Sequence, residues 1–227
     1  MLLMVGWTLG RKPEMTNQYS CHKHMDDPRI LLLLTLGGFY LAKLWRDDCR
    51  ATGAGRSHPG QLPGATPATR RAIVVAALGA ILLTGLETLA EHILGLTSEQ
   101  SRKTWLFALY SLTAAPVIEE IVFRGWLVPE RRGPVVTWIA VVGASLVFAL
   151  LHPFLWQWGD DGLAFTPALK GWFSTTWQFI GSLWFYACRL GPWNPTRSLL
   201  PCFVAHGARN AAVIVAKASA GAMGNLW

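Results

Sequence analysis

Six apolar segments divide this chain, near residues 30–45, 72–96, 104–128, 134–152, 168–190 and 198–217. A helix needs about 20 mainly apolar residues, with a range near 17–25, to cross the hydrocarbon core of a bilayer. All but the first segment reach that length. The expected fold class is therefore all-α: a polytopic transmembrane bundle with about six spans, within a range of six to eight. Composition agrees. Charged residues make up 15% of the chain, against about 25% in an ordinary soluble domain. The 12 Trp and 22 Gly fit the same picture, since Trp prefers the membrane boundary and Gly is frequent in membrane helices.

The expected organisation is a polar N-terminal segment at 1–29, one transmembrane domain at 30–217 and a tail at 218–227. Met25 is a second possible start within the first of these. The stretch 46–71, RDDCRATGAGRSHPGQLPGATPATRR, is rich in Gly, Pro and Ala and reads as a mobile extramembrane loop. The second segment ends on Glu87, Glu91 and His92, which makes its last turn amphipathic.

The net charge of +7 does not indicate nucleic acid, because the basic residues sit in short loops between apolar runs. Such residues set topology or touch anionic lipid. Here they divide almost evenly between the two sides of six spans, so orientation stays open. Cys21, Cys49, Cys188 and Cys202 show no CxxC spacing, and Cys188 and Cys202 read as small apolar side chains.

Against this background the ionisable residues inside apolar segments stand out. Glu119, Glu120 and Arg124 lie in APVIEEIVFRGWLV, His152 closes ASLVFALLH, and His206 and Asn210 lie in LLPCFVAHGARNAAVIV. A charge at membrane depth costs about 2.5–3.5 kcal/mol by insertion scales, so each needs a partner or a purpose. Glu120 and Arg124 are spaced i, i+4, and such a pair meets on one helix face. Glu119 points about 100° away and is left for another role. His206 and Asn210 also share a face. Pro116, just upstream, either starts a helix or kinks one.

A carboxylate and an imidazole can polarise a water and take its proton. An imidazole and a carboxamide can donate hydrogen bonds to the oxyanion of a tetrahedral intermediate. Glu119, His152 and His206 could instead ligate zinc. There is no HExxH and no GxSxG. Asp160 and Asp161 lie in the polar run WGDDG, outside any apolar segment, which argues against an intramembrane aspartyl pair.

In order, EEIVFRG at 119–125, FALLH at 148–152 and HGARN at 206–210 resemble the motifs of the CPBP (Abi) family, the CAAX proteases and bacteriocin-processing enzymes. That family includes the type II CAAX prenyl endopeptidases. The resemblance covers about residues 104–217. It implies an α-helical intramembrane endopeptidase of the glutamate type, in which Glu119 activates water with help from His152. His206 and Asn210 would stabilise the oxyanion, and Glu120 and Arg124 would shape the site. No cofactor is expected, with zinc on Glu119, His152 and His206 as the alternative; Asn210 is a poor zinc ligand. The implied partners are a membrane-associated protein or peptide substrate and the lipid bilayer, in a multi-pass protein of a bacterial inner membrane. A prenylated CaaX tail, a bacteriocin leader and a C-terminal sorting tail all remain open as substrates. A non-catalytic scaffold or immunity protein of the same fold is the competing function. A proton-coupled transporter is weaker, since no repeated half with broken helices is visible.

Two features depart from the simplest picture. Arg209 places a large charge just before Asn210, where a headgroup, a substrate carboxylate or Glu120 would have to face it. Straight helices also put His152 over 10 Å deeper than Glu119: about 27 Å from the start of its segment, against about 14 Å for Glu119 from the shared side. Strong tilt, or non-helical backbone within 126–137, would remove the mismatch.

Overall fold

A computed structural model describes residues 27–99, 102–129, 132–159 and 162–227. The polar N-terminal segment up to residue 26, Met25 included, lies outside the described residues, as do Asp160 and Asp161. The helices coincide with the apolar segments: α1 (Pro28–Gly53), α2 (Arg70–Ile93), α3 (Trp105–Thr113), α4 (Ala115–Glu120), α5 (Gly133–Leu151), α6 (Leu169–Leu190) and α7 (Leu200–Ser219). A wide π-helical turn, Ile121–Trp126, continues α4. The chain is an all-α bundle with one small addition. Strands β1 (Trp156–Gly159) and β2 (Gly162–Phe165) form an antiparallel hairpin between α5 and α6.

Among the described residues, four stretches are long and apolar enough to cross a membrane: α1, α2, the run from α3 to the wide turn, and α5. Their outward faces carry large apolar side chains. Val135, Trp138 and Ile139 on α5 are each about two-thirds exposed, as a lipid-facing surface requires. Inward faces use small residues. Ala72, Ala76, Ala80 and Thr84 recur every four residues on α2 and are buried, so α2 lies close along α7 and α6. Gly38 of α1 sits directly on Ala114, and a Cβ there would lie 2.4 Å from the Ala114 Cβ.

Ala114 is also where the third apolar segment breaks into α3 and α4. Pro116 stands at the start of α4, where its missing N–H costs least, so it begins a helix there. Thr104 caps α3 by accepting from the Phe107 N–H at 3.2 Å. The tail 218–227 completes that cap: the N–H groups of Trp105 and Leu106 donate to the carbonyls of Asn225 and Leu226. Four N–H groups at a helix start have no intrahelical partner, and this is where two of them find one.

The stretch 46–71 differs from the loop expected of it. It is helical as far as Gly53, because Trp45 is buried in the core and carries α1 onward. Residues 64–67 are then bonded to the segment before α7. Leu199 N–H donates to Gly64 O at 3.0 Å, Ser198 Oγ to Thr66 O at 2.6 Å and Thr196 Oγ1 to Pro67 O at 2.7 Å.

Candidate active site

The Glu–Glu pair sits at the end of α4, where the helix widens. A π turn is rare, is often found at functional sites, and leaves carbonyls out of the α-helical ladder. Here α6 satisfies them. Tyr186 Oη donates to Phe123 O at 2.7 Å, and Arg189 Nε donates to Arg124 O at 3.3 Å.

Arg124 is fully buried. Its Nη1 donates to Glu120 Oε1 at 3.1 Å, and its Nη2 donates to Ser182 O at 3.2 Å and to Ser182 Oγ. Its guanidinium carbon lies 4.5 Å from the Phe148 ring centre and 4.9 Å from that of Tyr186. Aromatic faces attract a desolvated cation. The i, i+4 pairing of Glu120 with Arg124 is thus present and is enclosed by rings.

Glu120 Oε1 also accepts from His206 Nδ1 at 2.8 Å. A carboxylate only accepts, so Nδ1 carries the proton. The imidazole stacks on Phe185, with ring centres 4.9 Å apart. Its other nitrogen, Nε2, faces Glu119 Oε2 at 3.9 Å. That oxygen is buried and has no hydrogen-bond partner among the described residues. Glu119, Glu120, Arg124 and His206 therefore form one cluster built from α4, the wide turn and α7.

His152 joins less directly. It comes just after the last residue of α5, and its Nδ1 donates to Phe148 O at 2.8 Å. Its Nε2 meets the side-chain nitrogen of Gln178 at 3.0 Å. The expected depth mismatch does not keep it away from this level. Phe148, one turn before His152, packs edge-on against Phe123 at 5.0 Å and lies 6.3 Å from the His206 ring. Residues 127–129 are not helical, and α5 begins on Gly133 with φ +81°.

Asn210 donates to Ser111 O at 2.7 Å, which commits one of its two amide hydrogens to α3. Arg209 is bonded to Gln178 and Glu87 rather than to Glu120. Its Nη1 donates to Gln178 Oε1 and its Nη2 to Glu87 Oε2 at 3.0 Å. Glu87 and Gln178 are the residues that the motif reading missed. Glu87 marked an amphipathic turn, which was a usable signal. Gln178 is one uncharged amide in a Trp- and Phe-rich helix and carried none.

No three His, Cys, Asp or Glu side chains among the described residues converge as a ligand set. Both ring nitrogens of His152 are already bonded elsewhere. Two clefts, of about 420 Å³ beside Pro63 and Trp126 and about 540 Å³ beside Thr88 and His92, are not lined by Glu119, His152, His206 or Asn210.

Residues 101–212, about half of the chain, match the family of type II CAAX prenyl endopeptidase Rce1-like proteins. This region belongs to the CAAX protease family. The match runs from just before α3 into α7 and contains all three motifs. The match implies a protease, and it falls in a chain with helices apolar enough for a membrane. No curated protein and no solved structure matches the chain significantly.

Proposed function

We propose that the chain is an intramembrane endopeptidase that hydrolyses a peptide bond of a membrane-associated or lipid-anchored substrate, with Glu119 as general base. The observation that carries this reading is the buried, unbonded Glu119 Oε2 facing His206 Nε2 at 3.9 Å. Its neighbour Glu120 differs in that one oxygen, Oε1, accepts from both Arg124 and His206, while its Oε2, like that of Glu119, is buried without a hydrogen-bond partner among the described residues; the ion pair with Arg124 gives Glu120 the structural task. A prenylated CaaX tail is the substrate class that the family match favours.

Charge balance defines the reactive form. Ionised Glu119 and Glu120 offset Arg124 and a doubly protonated His206, leaving a buried cluster with no net charge. That is the least costly arrangement in a low-dielectric interior. In this form Glu119 takes a proton from water, and the resulting hydroxide attacks the scissile carbonyl carbon. The oxyanion receives the His206 Nε2–H and the second Asn210 amide hydrogen. Collapse of the intermediate breaks the C–N bond, and the proton held on Glu119 goes to the leaving amine. His152 enters when its Nε2 exchanges the Gln178 N–H for an O–H of the water.

The test uses a farnesylated CaaX peptide and the protein in detergent. Glu119→Gln and His206→Ala are expected to lower cleavage by about 10²–10⁴-fold. Thermal melting stays close to wild type for Glu119→Gln, whereas His206→Ala also loses the Glu120 hydrogen bond and the Phe185 stack and melts lower. Activity is expected to persist in a strong chelator. Full activity of Glu119→Gln would return the chain to the scaffold reading. Loss in chelator, restored by zinc, would recast His152 and His206 as ligands.

A further inference from the structure

Glu87, Arg209 and Gln178 have no part in the family motifs, yet they form one buried hydrogen-bonded line from α2 through α7 to α6. Arg209 is 7% exposed and Gln178 is 5% exposed. The line ends on His152 Nε2.

Its polarity is set by which atoms can donate. A guanidinium only donates, so the Gln178 atom facing Arg209 must be the oxygen. The atom facing His152 must then be the amide nitrogen, which only donates. The His152 Nε2 beside it must carry a lone pair. On the other side Phe148 O only accepts, so Nδ1 must carry the proton. Every position in the line is determined by its neighbour. Glu87 fixes the far side of the Arg209 guanidinium, with Nη2 donating to Oε2 at 3.0 Å.

We propose that Glu87, Arg209 and Gln178 are positioning residues that hold His152 as the neutral tautomer with its proton on Nδ1 and its Nε2 bare. The Gln178 N–H occupies the place that a hydrogen of the attacking water takes over, so the acceptor is ready before substrate arrives. The role of His152 in this statement rests on the endopeptidase reading, whereas the tautomer does not. Arg209 thereby has a use in this chain: it orients an amide on α6.

The deciding variant is Gln178→Glu, which keeps the side-chain volume and reverses the demand. A carboxylate between Arg209 and His152 requires a proton on Nε2. With Glu87 and Arg209 unchanged and His152 doubly protonated, the line stays free of net charge. The double variant Glu87→Gln with Arg209→Gln removes both charges together and serves as the second test.

The readouts are the ¹⁵N shifts of the histidine ring nitrogens in labelled protein in detergent, assigned by comparison with His152→Gln, and steady-state cleavage of a farnesylated CaaX peptide. The wild type is expected to show a protonated Nδ1 and a bare Nε2 at His152. Gln178→Glu is expected to protonate both, and kcat falls about 10–100-fold, the usual loss when a group that orients a functional imidazole is removed. KM stays near wild type, because the peptide's contacts are untouched. The double variant is expected to give a mixture of tautomers and an intermediate kcat. A wild-type His152 protonated on Nε2 would overturn the proposal, as would a Gln178→Glu protein with unchanged shifts and kcat. If Glu119→Gln were fully active while the His152 shifts moved as expected, the endopeptidase reading alone would fall.

Discussion

The helices before residue 101 and those after it are built to different rules. In α1 and α2 the helices are unbroken, the buried positions are mostly small or apolar, and the outer faces are Leu, Ile, Val and Phe. From α3 onward the third apolar segment breaks at Ala114 and widens into a π turn. It buries Glu120 and Arg124 completely, and α7 brings His206 against them. Regular helices satisfy their own backbone. Irregular ones need help from neighbours, and Tyr186 and Arg189 supply it here. The difference teaches where the chain carries cost: the frame is cheap to fold and chemically inert, while the site needs many partners to exist at all. The exceptions are two carboxylates of α2: Glu87, which the frame lends to the site through Arg209, and the buried Glu91, which pairs with Lys170 of α6.

Removing half of the buried pair should break this contrast most visibly. Arg124→Ala or Glu120→Ala leaves an uncompensated buried charge and is expected to cost about 3–5 kcal/mol. Thermal melting in detergent measures it. Glu120→Gln combined with Arg124→Met is expected to lose less stability than either single change, because no charge is left alone. If the singles melted like wild type, the ion pair would not be part of the fold.

In the frame, the corresponding weak point is steric. Gly38→Val places a side chain against Ala114 and is expected to cost about 1–3 kcal/mol, as overpacking does. The protein that remains folded should keep its kcat, which separates this loss from that of a site variant. A Gly38→Val protein with normal stability but altered kcat would mean that α1 shapes the chemistry.

The smallest effect is expected at the surface of the frame. His58 is bonded to Pro59 O and to Asp48 Oδ1, each at 3.1 Å. The Pro59 carbonyl first, and then Asp48, raise its pKa above the ordinary 6.5. A raised folded value means that the contribution is complete below the unfolded pKa and disappears as pH rises through the folded one. His58→Ala is therefore expected to lower the melting temperature slightly in mild acid and not at alkaline pH. An equal difference at both ends would show that the ring acts by packing rather than by charge.

Much of this protein was legible because membrane physics works on runs of sequence. Apolar runs long enough for a bilayer fold as helices, so the bundle could be read from composition along the chain, whereas the extension of α1 to Gly53 and the break at Ala114 could not. The Glu120–Arg124 pair was also local, since i, i+4 spacing determines which side chains meet on a helix. The joining of His206 to Glu119 and Glu120 needed the third dimension, because it lies 86 or more positions from both and no periodicity connects them. The same holds for Arg209. Its sequence neighbours pointed to a headgroup, a substrate carboxylate or Glu120, and none of these named Glu87 and Gln178, which the crossing of α2, α6 and α7 places within reach. The wide turn at Ile121–Trp126 was equally hidden, because its freed carbonyls depend on donors from α6 more than 60 residues away. The sequence by itself determined which segments are apolar helices and which charges need partners. Only the tertiary structure decided who those partners are, because a buried charge is satisfied by whatever donor or acceptor the packing brings to it.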